Sequence, residues 1–270
     1  LDKSIKSPDQ LEAAGASVLS WIPSFKELVE VHSPETDFIV ELKPSSTVSE
    51  AFKALRTRIQ YSKIEDEPIK TILVTSTIPS EGKTIVSTNL AGSFALMGKR
   101  TLLLDCDLRK PRIHNLMKGD RYPGLSDKLF ENVTFEDVIR STKLENLSYI
   151  TSGTIPPNPS ELLGSLQMKH LLEELKKMFD MIVIDSPPFI SVTDSEILFN
   201  VCDGTILVSR ANLTPFDAFI KTYKRLYRIN PRNILGCVLN DFAIKSSYGY
   251  YYNYYYYYSK PSKTGKKNLT

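Results

Sequence analysis

The chain has 270 residues, of which 41% are hydrophobic and 24% are charged. This balance is typical of a globular protein and excludes wholesale disorder. The formal net charge of +3 is too close to neutral to indicate nucleic acid as the main partner. No apolar run approaches the roughly 18 residues that a membrane span needs, and the three widely spaced cysteines fit neither a disulfide framework nor a zinc site.

The first 47 residues contain several prolines and are predicted to contribute only short elements. A short helix is predicted over Pro8–Ala14 and a brief strand over Val18–Ile22. No secretory signal opens the chain. The chain does not begin with Met, so we expect it to be a fragment or a processed form of a longer protein.

An amphipathic helix is predicted from Thr47 onward. Its apolar stripe consists of Val48, Ala51, Phe52, Leu55 and Ile59. Glu50, Lys53 and Arg56 are expected on the opposite side of the helix, where a charged face is usually just solvated. Thr47 together with Glu50 also fits a capping box.

Residues 48–241 alternate short apolar runs with segments of helical periodicity. The apolar runs are Ile72–Ser76, Thr101–Asp105, Met181–Asp185, Thr205–Ser209 and Ile234–Asn240. Each is apolar on both faces, as strands in a helix-covered parallel sheet are. The alternation predicts an α/β fold with a doubly wound, mostly parallel sheet, in which functional residues gather at the carboxyl ends of the strands.

The segment Thr77–Thr84 connects the first of these strands to a predicted helix. Gly82 allows close backbone approach, and the N–H groups of the loop and helix start can face an anion. Lys83 is expected to reach the β- and γ-phosphates of a nucleotide, and the Thr84 hydroxyl to ligate Mg²⁺. Thr77 stands where the usual phosphate-loop pattern has glycine. The alternative to a phosphate loop is a glycine-containing turn capped by Thr84. The predicted nucleotide-binding residues of the loop are Pro79, Ser80, Glu81, Gly82, Lys83, Thr84 and Ile85.

Two of the predicted strands end in carboxylates. Asp105 and Asp107 share one side if the backbone stays extended, and Asp185 ends another strand. Beside a phosphate loop such carboxylates hold Mg²⁺ and its water shell, whereas an isolated aspartate here is often an N-cap or turn residue. With Lys83 they form the predicted catalytic set. We assign Thr84, Asp107 and Asp185 to Mg²⁺ and Asp105 to a proton from an incoming hydroxyl, but the sequence does not decide between Asp105 and Asp107 for these two roles.

Tyrosine dominates the C-terminal tail, where nine of the fourteen tyrosines lie between residues 248 and 258. Beyond Asp241 the chain has five lysines and no acid, so the tail carries a charge of about +5 apart from its terminal carboxylate. Each phosphotyrosine adds roughly −1.5 to −2, so a few phosphates would reverse this sign. A sticky low-complexity segment and a platform for stacking single-stranded nucleic acid are the alternatives. The predicted phosphate acceptors are Tyr248, Tyr250, Tyr251, Tyr252, Tyr254, Tyr255, Tyr256, Tyr257 and Tyr258.

Together these features resemble the bacterial tyrosine kinases of capsule and exopolysaccharide assembly. The resemblance covers nearly the whole chain and rests on the tyrosine cluster and on Ser76–Thr84, Leu102–Pro111, Pro156–Leu163, Met181–Pro188 and Gly236–Asn240. That family belongs to the P-loop ATPases related to chromosome-partition and septum-placement proteins. The resemblance implies an ATP:protein-tyrosine phosphotransferase that binds ATP and Mg²⁺ and autophosphorylates its tail. The tail of one subunit would enter the site of its neighbour in a ring, commonly an octamer.

The resemblance also implies roles for residues outside the phosphate loop. Asn240 ends a strand where relatives contact the base, so it is a candidate nucleotide-binding residue. Glu50, Lys53 and Arg56 resemble the ring-forming motif of the family, which has arginine at the position of Lys53. Because lysine lacks the bidentate fork of arginine, that contact is expected to be weaker. Leu1–Pro23 resembles the segment after the second transmembrane helix in members fused to a membrane activator.

We therefore predict a juxtamembrane-like segment over residues 1–47, a P-loop kinase domain over 48–241 and a tyrosine-rich tail over 242–270. The chain would be the soluble cytoplasmic part of a polysaccharide co-polymerase at the bacterial inner membrane. Its expected partners are other copies of itself, a membrane region fused upstream and a protein-tyrosine phosphatase, but not nucleic acid. Phosphates on clustered tails are expected to repel one another and loosen the ring.

Two other functions fit parts of the sequence. A partition-type P-loop ATPase would hydrolyse ATP to switch between monomer and dimer. Those relatives carry a lysine at the start of the phosphate loop, where this chain has Ile78, and they lack a tyrosine tail. A non-enzymatic module that binds ATP and scaffolds a polysaccharide machine is the second alternative.

Overall fold

The computed structural model describes residues 2–24, 38–62, 68–130 and 133–243. Within these ranges one eight-stranded sheet has helices on both faces. The strands are β1 (Val18–Pro23), β2 (Thr71–Ser76), β3 (Thr101–Asp105), β4 (Arg140–Ser141), β5 (Leu147–Ile150), β6 (Met181–Asp185), β7 (Gly204–Arg210) and β8 (Ile234–Phe242). The helices are α1 (Pro8–Ala13), α2 (Ile39–Leu42), α3 (Thr47–Gln60), α4 (Lys83–Ala95), α5 (Ile113–Leu116), α6 (Leu125–Phe130), α7 (Phe135–Val138), α8 (Pro159–Leu163), α9 (Leu166–Met178), α10 (Asp194–Phe199) and α11 (Phe216–Ile229).

The strands follow the order β1-β8-β7-β2-β6-β3-β5-β4. Every neighbouring pair is parallel except β4 with β5. This arrangement confirms the predicted doubly wound, mostly parallel α/β fold. The chain moves from β2 toward β3 on one side and later from β6 to β7 on the other, so the strand order reverses at β2. Ligand sites of such sheets form at this switch point, beyond the carboxyl ends of the strands.

Alternate side chains of the strands pack into two separate cores, one on each face of the sheet. Ile72 and Val74 of β2 pack with helices α2, α3 and α4, whereas Leu73 between them packs with α9, α10 and α11. Strands β2, β3 and β6 are buried at every position. Burial on both faces explains why each of these strands has a continuous apolar run at its centre rather than an alternating pattern.

Helix α4 is surrounded by protein and carries the phosphate loop at its start. A Cβ at Gly92 would lie only 2.6 Å from side-chain atoms of Phe38 and Val40, so α2 can approach α4 this closely only because residue 92 is glycine. The Val40 amide donates to Asn89 Oδ1 of α4 at 3.0 Å. Helix α4 is therefore held against α2 through its middle and later turns.

Helix α3 begins at Thr47, and its N-cap lies one residue before the predicted capping position. Ser46, which has extended backbone, is the N-cap, and its hydroxyl accepts a hydrogen bond from the Ser49 amide at 3.1 Å. The predicted capping box of Thr47 and Glu50 is wrong because Thr47 is already helical. Glu50 instead pairs with Lys53 at 2.7 Å. The predicted apolar stripe is confirmed, since all five of its side chains are buried.

The N-terminal segment contributes directly to the sheet. Strand β1 pairs in parallel with β8 at one edge, and α1 precedes it as predicted. The domain division after residue 47 stays a prediction, and the tyrosine cluster lies outside the described residues. Among the residues described, the helices are too short or too polar to cross a membrane. All three cysteines are unpaired and buried.

Candidate nucleotide-binding site

The loop between β2 and α4 has the backbone geometry of an anion cradle. Ser80 and Gly82 both adopt left-handed conformations, with φ of 68° and 88°. For a serine this costs roughly 1–2 kcal/mol. A Cβ at Gly82 would lie 2.1 Å from Nδ2 of Asn240, so the position requires glycine for its conformation and for the approach of β8. The amino terminus of the 13-residue helix α4 lies immediately behind the loop and favours an anion there.

Lys83 lies at the centre of the charged groups. Its Nζ is 2.9 Å from Asp107 Oδ2, 3.3 Å from Thr84 Oγ1 and 3.8 Å from Asp185 Oδ2. Burial acts to lower the pKa of Lys83, but Asp185 and Asp107 outweigh it and raise the pKa above its ordinary value. Lys83 therefore remains protonated and able to meet phosphate oxygens.

Asp185 is fixed by hydroxyl groups on α4. Thr84 Oγ1 donates to its Oδ2 at 2.7 Å, and Ser87 Oγ donates to its Oδ1 at 3.0 Å. Burial raises the pKa of Asp185, and Lys83 only partly offsets this effect. Sequence reasoning missed Ser87, although it follows Lys83 by one helical turn, a spacing that places both on one face.

Asp105 and Asp107 occupy different environments. Residue pairing between β3 and β6 places Asp105 beside Asp185. The buried Asp105 carboxylate accepts hydrogen bonds from the Asp107 and Ile113 amides at 3.2 and 3.3 Å. Burial, with Asp185 and Asp107 adding to it, raises the pKa of Asp105 well above its usual range. Asp107 instead makes the direct contact with Lys83.

The donor set fits a Mg²⁺ ion that is shared with a nucleotide. Thr84, Asp107 and Asp185 place oxygen atoms around the Lys83 ammonium, and Mg²⁺ prefers oxygen ligands. Within the described ranges no group of three or more His, Cys, Asp or Glu side chains could hold a metal ion. Water and phosphate oxygens would have to complete the octahedral shell, as they commonly do for Mg²⁺.

The other predicted nucleotide-binding residues are spread over the loop and its surroundings. Pro79 and Ser80 are exposed, and Ile85 is half-buried in the first turn of α4. Asn240 Nδ2 donates to the Glu81 carbonyl at 3.0 Å. The Asn240 Oδ1 atom is buried and has no hydrogen-bond partner among the described residues. A contact of Asn240 with a nucleotide base stays a prediction.

An ion pair between an exposed arginine and a buried aspartate joins two of the sequence motifs. Arg109 donates to both oxygens of Asp194, at 2.9 and 3.0 Å, and the Ser160 hydroxyl donates to Asp194 at 2.6 Å. Arg109 belongs to the segment Leu102–Pro111, and Ser160 belongs to the segment Pro156–Leu163. Sequence reasoning quoted both segments but not the pair, because Asp194 lies far away in the chain. The pair fixes the loop after β3 against the loop after β6.

The residues of the predicted ring-forming motif diverge in the structure. Glu50 and Lys53 form their ion pair on a partly exposed surface, with each side chain 38% exposed. Arg56 departs from the expected opposite face because its Nη1 donates to the Ser93 carbonyl of α4 at 2.6 Å. The Arg56 side chain is long enough to cross the groove between α3 and α4, so it links these two helices. A role of the three residues in a ring contact stays a prediction.

The class of protein follows from this geometry. A phosphate loop at the switch point of a parallel sheet, with carboxylates at the ends of two neighbouring strands, defines a P-loop ATPase. Residues 69–233 match the family described as AAA domain. The septum site-determining protein MinD of Pyrococcus horikoshii, solved with Mg-ADP, is 24% identical with a TM-score of 0.54, covering 63% of this chain and 70% of that one. This likeness concerns the fold alone.

Closer relatives identify the family. The chain is 36% identical to the tyrosine-protein kinase YwqD of Bacillus subtilis over 219 residues, which cover 80% of this chain and 92% of that protein. It is 33% identical over 261 residues to a putative tyrosine-protein kinase in the cps region of Klebsiella pneumoniae, covering 93% of this chain but 36% of that protein. The kinase domain of the Escherichia coli tyrosine kinase ETK has a TM-score of 0.81 and 28% identity, covering 98% of this chain and 100% of that one. The chain belongs to the bacterial tyrosine-protein kinase family, which confirms the resemblance and the predicted enzyme class.

Proposed function

We propose that this protein-tyrosine kinase transfers the γ-phosphoryl group of MgATP to the tyrosines of its own tail, between residues 248 and 258. The observation that carries the proposal is the contact of Lys83 with Asp107 and Asp185 at the phosphate loop. Nine tyrosines in eleven positions supply acceptors in the same chain. A nucleotide site and a dense set of acceptor hydroxyls favour autophosphorylation over hydrolysis alone.

Transfer would depend on positioning and on charge neutralisation, as phosphoryl transfer generally does. Lys83 and the loop N–H groups would meet the β- and γ-phosphate oxygens in a largely buried site, where such contacts are strong. Thr84, Asp107 and Asp185 would hold Mg²⁺, which supplies neutralisation of charge on the phosphates. The three carboxylates around Lys83 outnumber the single positive charge of its ammonium group. The site therefore favours a nucleotide that arrives with its metal.

We propose that Asp105 is the general base that accepts the proton of the tyrosine hydroxyl. Asp107 is occupied by Lys83 and, in this proposal, by Mg²⁺. Asp105 forms no ion pair with Lys83 among the described residues and lies beside Asp185 at the same edge of the sheet. A general base in reach of the attacking hydroxyl contributes typically 10²–10⁴-fold in rate.

We propose that transfer occurs between copies of the chain within a ring. The partly exposed pair of Glu50 and Lys53 on α3 offers a charged contact for a neighbouring copy. Strand β8 ends at Phe242, so the tail begins at the carboxyl end of the parallel strands, where the phosphate loop also lies. A tail of 28 residues beyond Phe242 has a contour long enough to reach a neighbour.

A mixing experiment tests this proposal. One partner is a full-length Lys83→Met variant that keeps its tail, and the other is an active chain ending at residue 243. With MgATP, we expect phosphate on the tail of the Lys83→Met partner only when the truncated partner is present. Absence of label in the mixture, with active wild-type chain as control, contradicts transfer between copies. Absence of label from wild type as well favours the ATP-binding scaffold.

We further propose that the chain acts at the cytoplasmic face of the bacterial inner membrane in capsule or exopolysaccharide production. The support is the relative named for a cps region, of whose length this chain spans 36%. The remainder of that protein leaves room for a fused membrane region. A protein-tyrosine phosphatase would reset the tail.

Phosphorylation would also regulate assembly. Several phosphates of roughly −1.5 to −2 each on neighbouring tails repel one another and withdraw the tails from adjacent sites. We expect light scattering to record a lower mass after ATP treatment than before it. An unchanged mass on full phosphorylation contradicts this mode of regulation.

A further inference from the structure

The Glu81 side chain of the phosphate loop turns away from the phosphate site and into the protein. It is fully buried. One carboxylate oxygen accepts a hydrogen bond from the Ile78 amide at 2.8 Å. The other accepts a hydrogen bond from the hydroxyl of Thr214, which is also fully buried. Thr214 lies between β7 and α11, 133 residues away in sequence.

A buried carboxylate inside an anion-binding loop requires a physical explanation. Its negative charge opposes the binding of phosphate, and burial without partners would be costly. Burial raises the pKa of Glu81 to about 7, and the hydrogen bonds from Thr214 and Ile78 oppose that rise. Through these two hydrogen bonds the carboxylate connects the first and last parts of the loop to the segment that contains Thr214. A smaller or apolar residue could not make both contacts.

Thr214 is oriented to donate to Glu81. The Arg210 amide donates to Thr214 Oγ1 at 2.7 Å, which leaves the hydroxyl proton for the carboxylate. The Arg210 side chain extends the same link, because its Nη1 donates to the Ser80 carbonyl at 3.1 Å and its Nη2 pairs with Asp241 at 2.6 Å. The left-handed backbone at Ser80 is thus held from the end of β7.

We propose that Thr214 and Glu81 form a positioning pair that holds the phosphate loop in its nucleotide-binding conformation through the segment between β7 and α11. This inference rests on the proposed function of the loop. Neither side chain faces the phosphates, so the pair acts through the loop amides. Loss of the pair should weaken the binding of ground state and transition state alike, which raises KM and leaves kcat nearly unchanged.

The test compares two substitutions at one position. Thr214→Val keeps the shape but removes the hydroxyl, whereas Thr214→Ser keeps the hydroxyl. Because removing one partner leaves a buried polar group unsatisfied, we expect Thr214→Val to raise the Kd for MgADP and the KM for ATP roughly tenfold. Thr214→Ser should stay within about twofold of wild type in both, and kcat of tail phosphorylation should change little in either variant.

A matched control removes a buried hydroxyl from β7, the strand that precedes Thr214. Thr205 of β7 is buried, and its hydroxyl has no hydrogen-bond partner among the described residues. We expect Thr205→Val to leave the Kd for MgADP at the wild-type value. A purely structural role for Thr214 would lower thermal stability and the active fraction without raising KM.

The outcomes separate this inference from the proposed function. If wild type binds MgADP and phosphorylates its tail but Thr214→Val has unchanged Kd and KM, the positioning pair is refuted and the kinase proposal stands. If wild type binds no nucleotide, the kinase proposal itself fails. Should Thr214→Val not fold, Glu81→Gln takes its place. The carboxylate accepts from both donors, whereas the amide of Glu81→Gln has one oxygen and can accept from only one of them. A wild-type Kd in that variant therefore overturns the inference.

Discussion

The two ends of the central sheet use the same kinds of charged residue in opposite environments. At the amino end, where β3 and β6 begin, Arg100 pairs with Asp180 at 2.7 Å, with the side chains 60% and 36% exposed. At the carboxyl end, Lys83 pairs with Asp107 at 2.9 Å, with the side chains 12% and 5% exposed. The distances are similar, but the surroundings of the two pairs differ.

The difference indicates which end serves a ligand. An exposed ion pair contributes about 0–1 kcal/mol to stability because water screens it. Burying charge costs several kcal/mol per ion before the partner compensates, and at the carboxyl end the carboxylates of Asp105, Asp107 and Asp185 outnumber Lys83. Such a group is a poor means of stabilising a fold. It is an expected arrangement where Mg²⁺ and phosphate complete the balance.

The largest expected effect is the contrast between removing a cation at the carboxyl end of the sheet and removing one at the amino end. We expect Lys83→Met to lower the initial rate of tail phosphorylation by a factor on the order of 100 or more, because a buried electrostatic contact to the transferring group is lost. Arg100→Met should stay within about twofold of wild type. Similar losses in both variants, in chains shown by circular dichroism to be folded, would refute the assignment of the site to the carboxyl end.

A second comparison separates the two carboxylates after β3. We expect Asp107→Asn to raise the Mg²⁺ concentration for half-maximal activity by roughly tenfold, as loss of a metal contact does. Asp105→Asn should instead lower kcat on the order of 100-fold at unchanged Mg²⁺ dependence, because the proton acceptor is lost. Activity is titrated with MgCl₂ at saturating ATP. The reverse pattern would exchange the two roles.

The pH dependence of stability tests the buried charge of Glu81. Its pKa rises from 4.5 to about 7 on folding, so its stabilising contribution is complete below pH 4.5 and is lost as pH rises through 7. Between pH 5 and 8 we expect wild type to lose on the order of 2–3 kcal/mol more unfolding free energy than Glu81→Gln. Urea titrations at the two pH values measure this. Parallel losses in the two chains would contradict the assignment.

The smallest expected effect is the energy of the exposed pair at the amino end. A double-mutant cycle with Arg100→Ala and Asp180→Ala should give a small coupling energy that decreases with added salt, because both side chains are exposed. Urea unfolding at low and high salt provides the measurement. A large coupling energy that added salt leaves unchanged would mean that the two ends do not differ as described.

The strands that are buried on both faces were predicted most accurately, because their sequence pattern allows one interpretation. Thr101–Asp105 and Met181–Asp185 were predicted with the bounds that the structure has, since each is a short apolar run that ends in a charge. Strand β5 was not predicted, because the four residues Leu147–Ile150 have mixed polarity. The capping of α3 was predicted one residue too late because both Ser46 and Thr47 are suitable caps.

The candidate site shows the same division between local and distant information. Lys83, Thr84 and the strand-end aspartates stand in local patterns whose chemistry is readable from spacing. Thr214 contacts Glu81 across 133 residues, and Arg109 contacts Asp194 across 85. No local pattern marks these partners, since their meeting depends on how the crossovers place the loops. The supporting contacts of the site therefore required the structure.

The central claim is that the nucleotide site donates phosphate to the tyrosine tail, and mapping phosphotyrosine tests it most directly. The full chain and its Lys83→Met variant are incubated with MgATP and analysed by peptide mass spectrometry. We expect phosphate on tyrosines between residues 248 and 258 in wild type and none in the variant. A wild-type chain that binds MgATP but leaves these tyrosines unmodified would contradict the account.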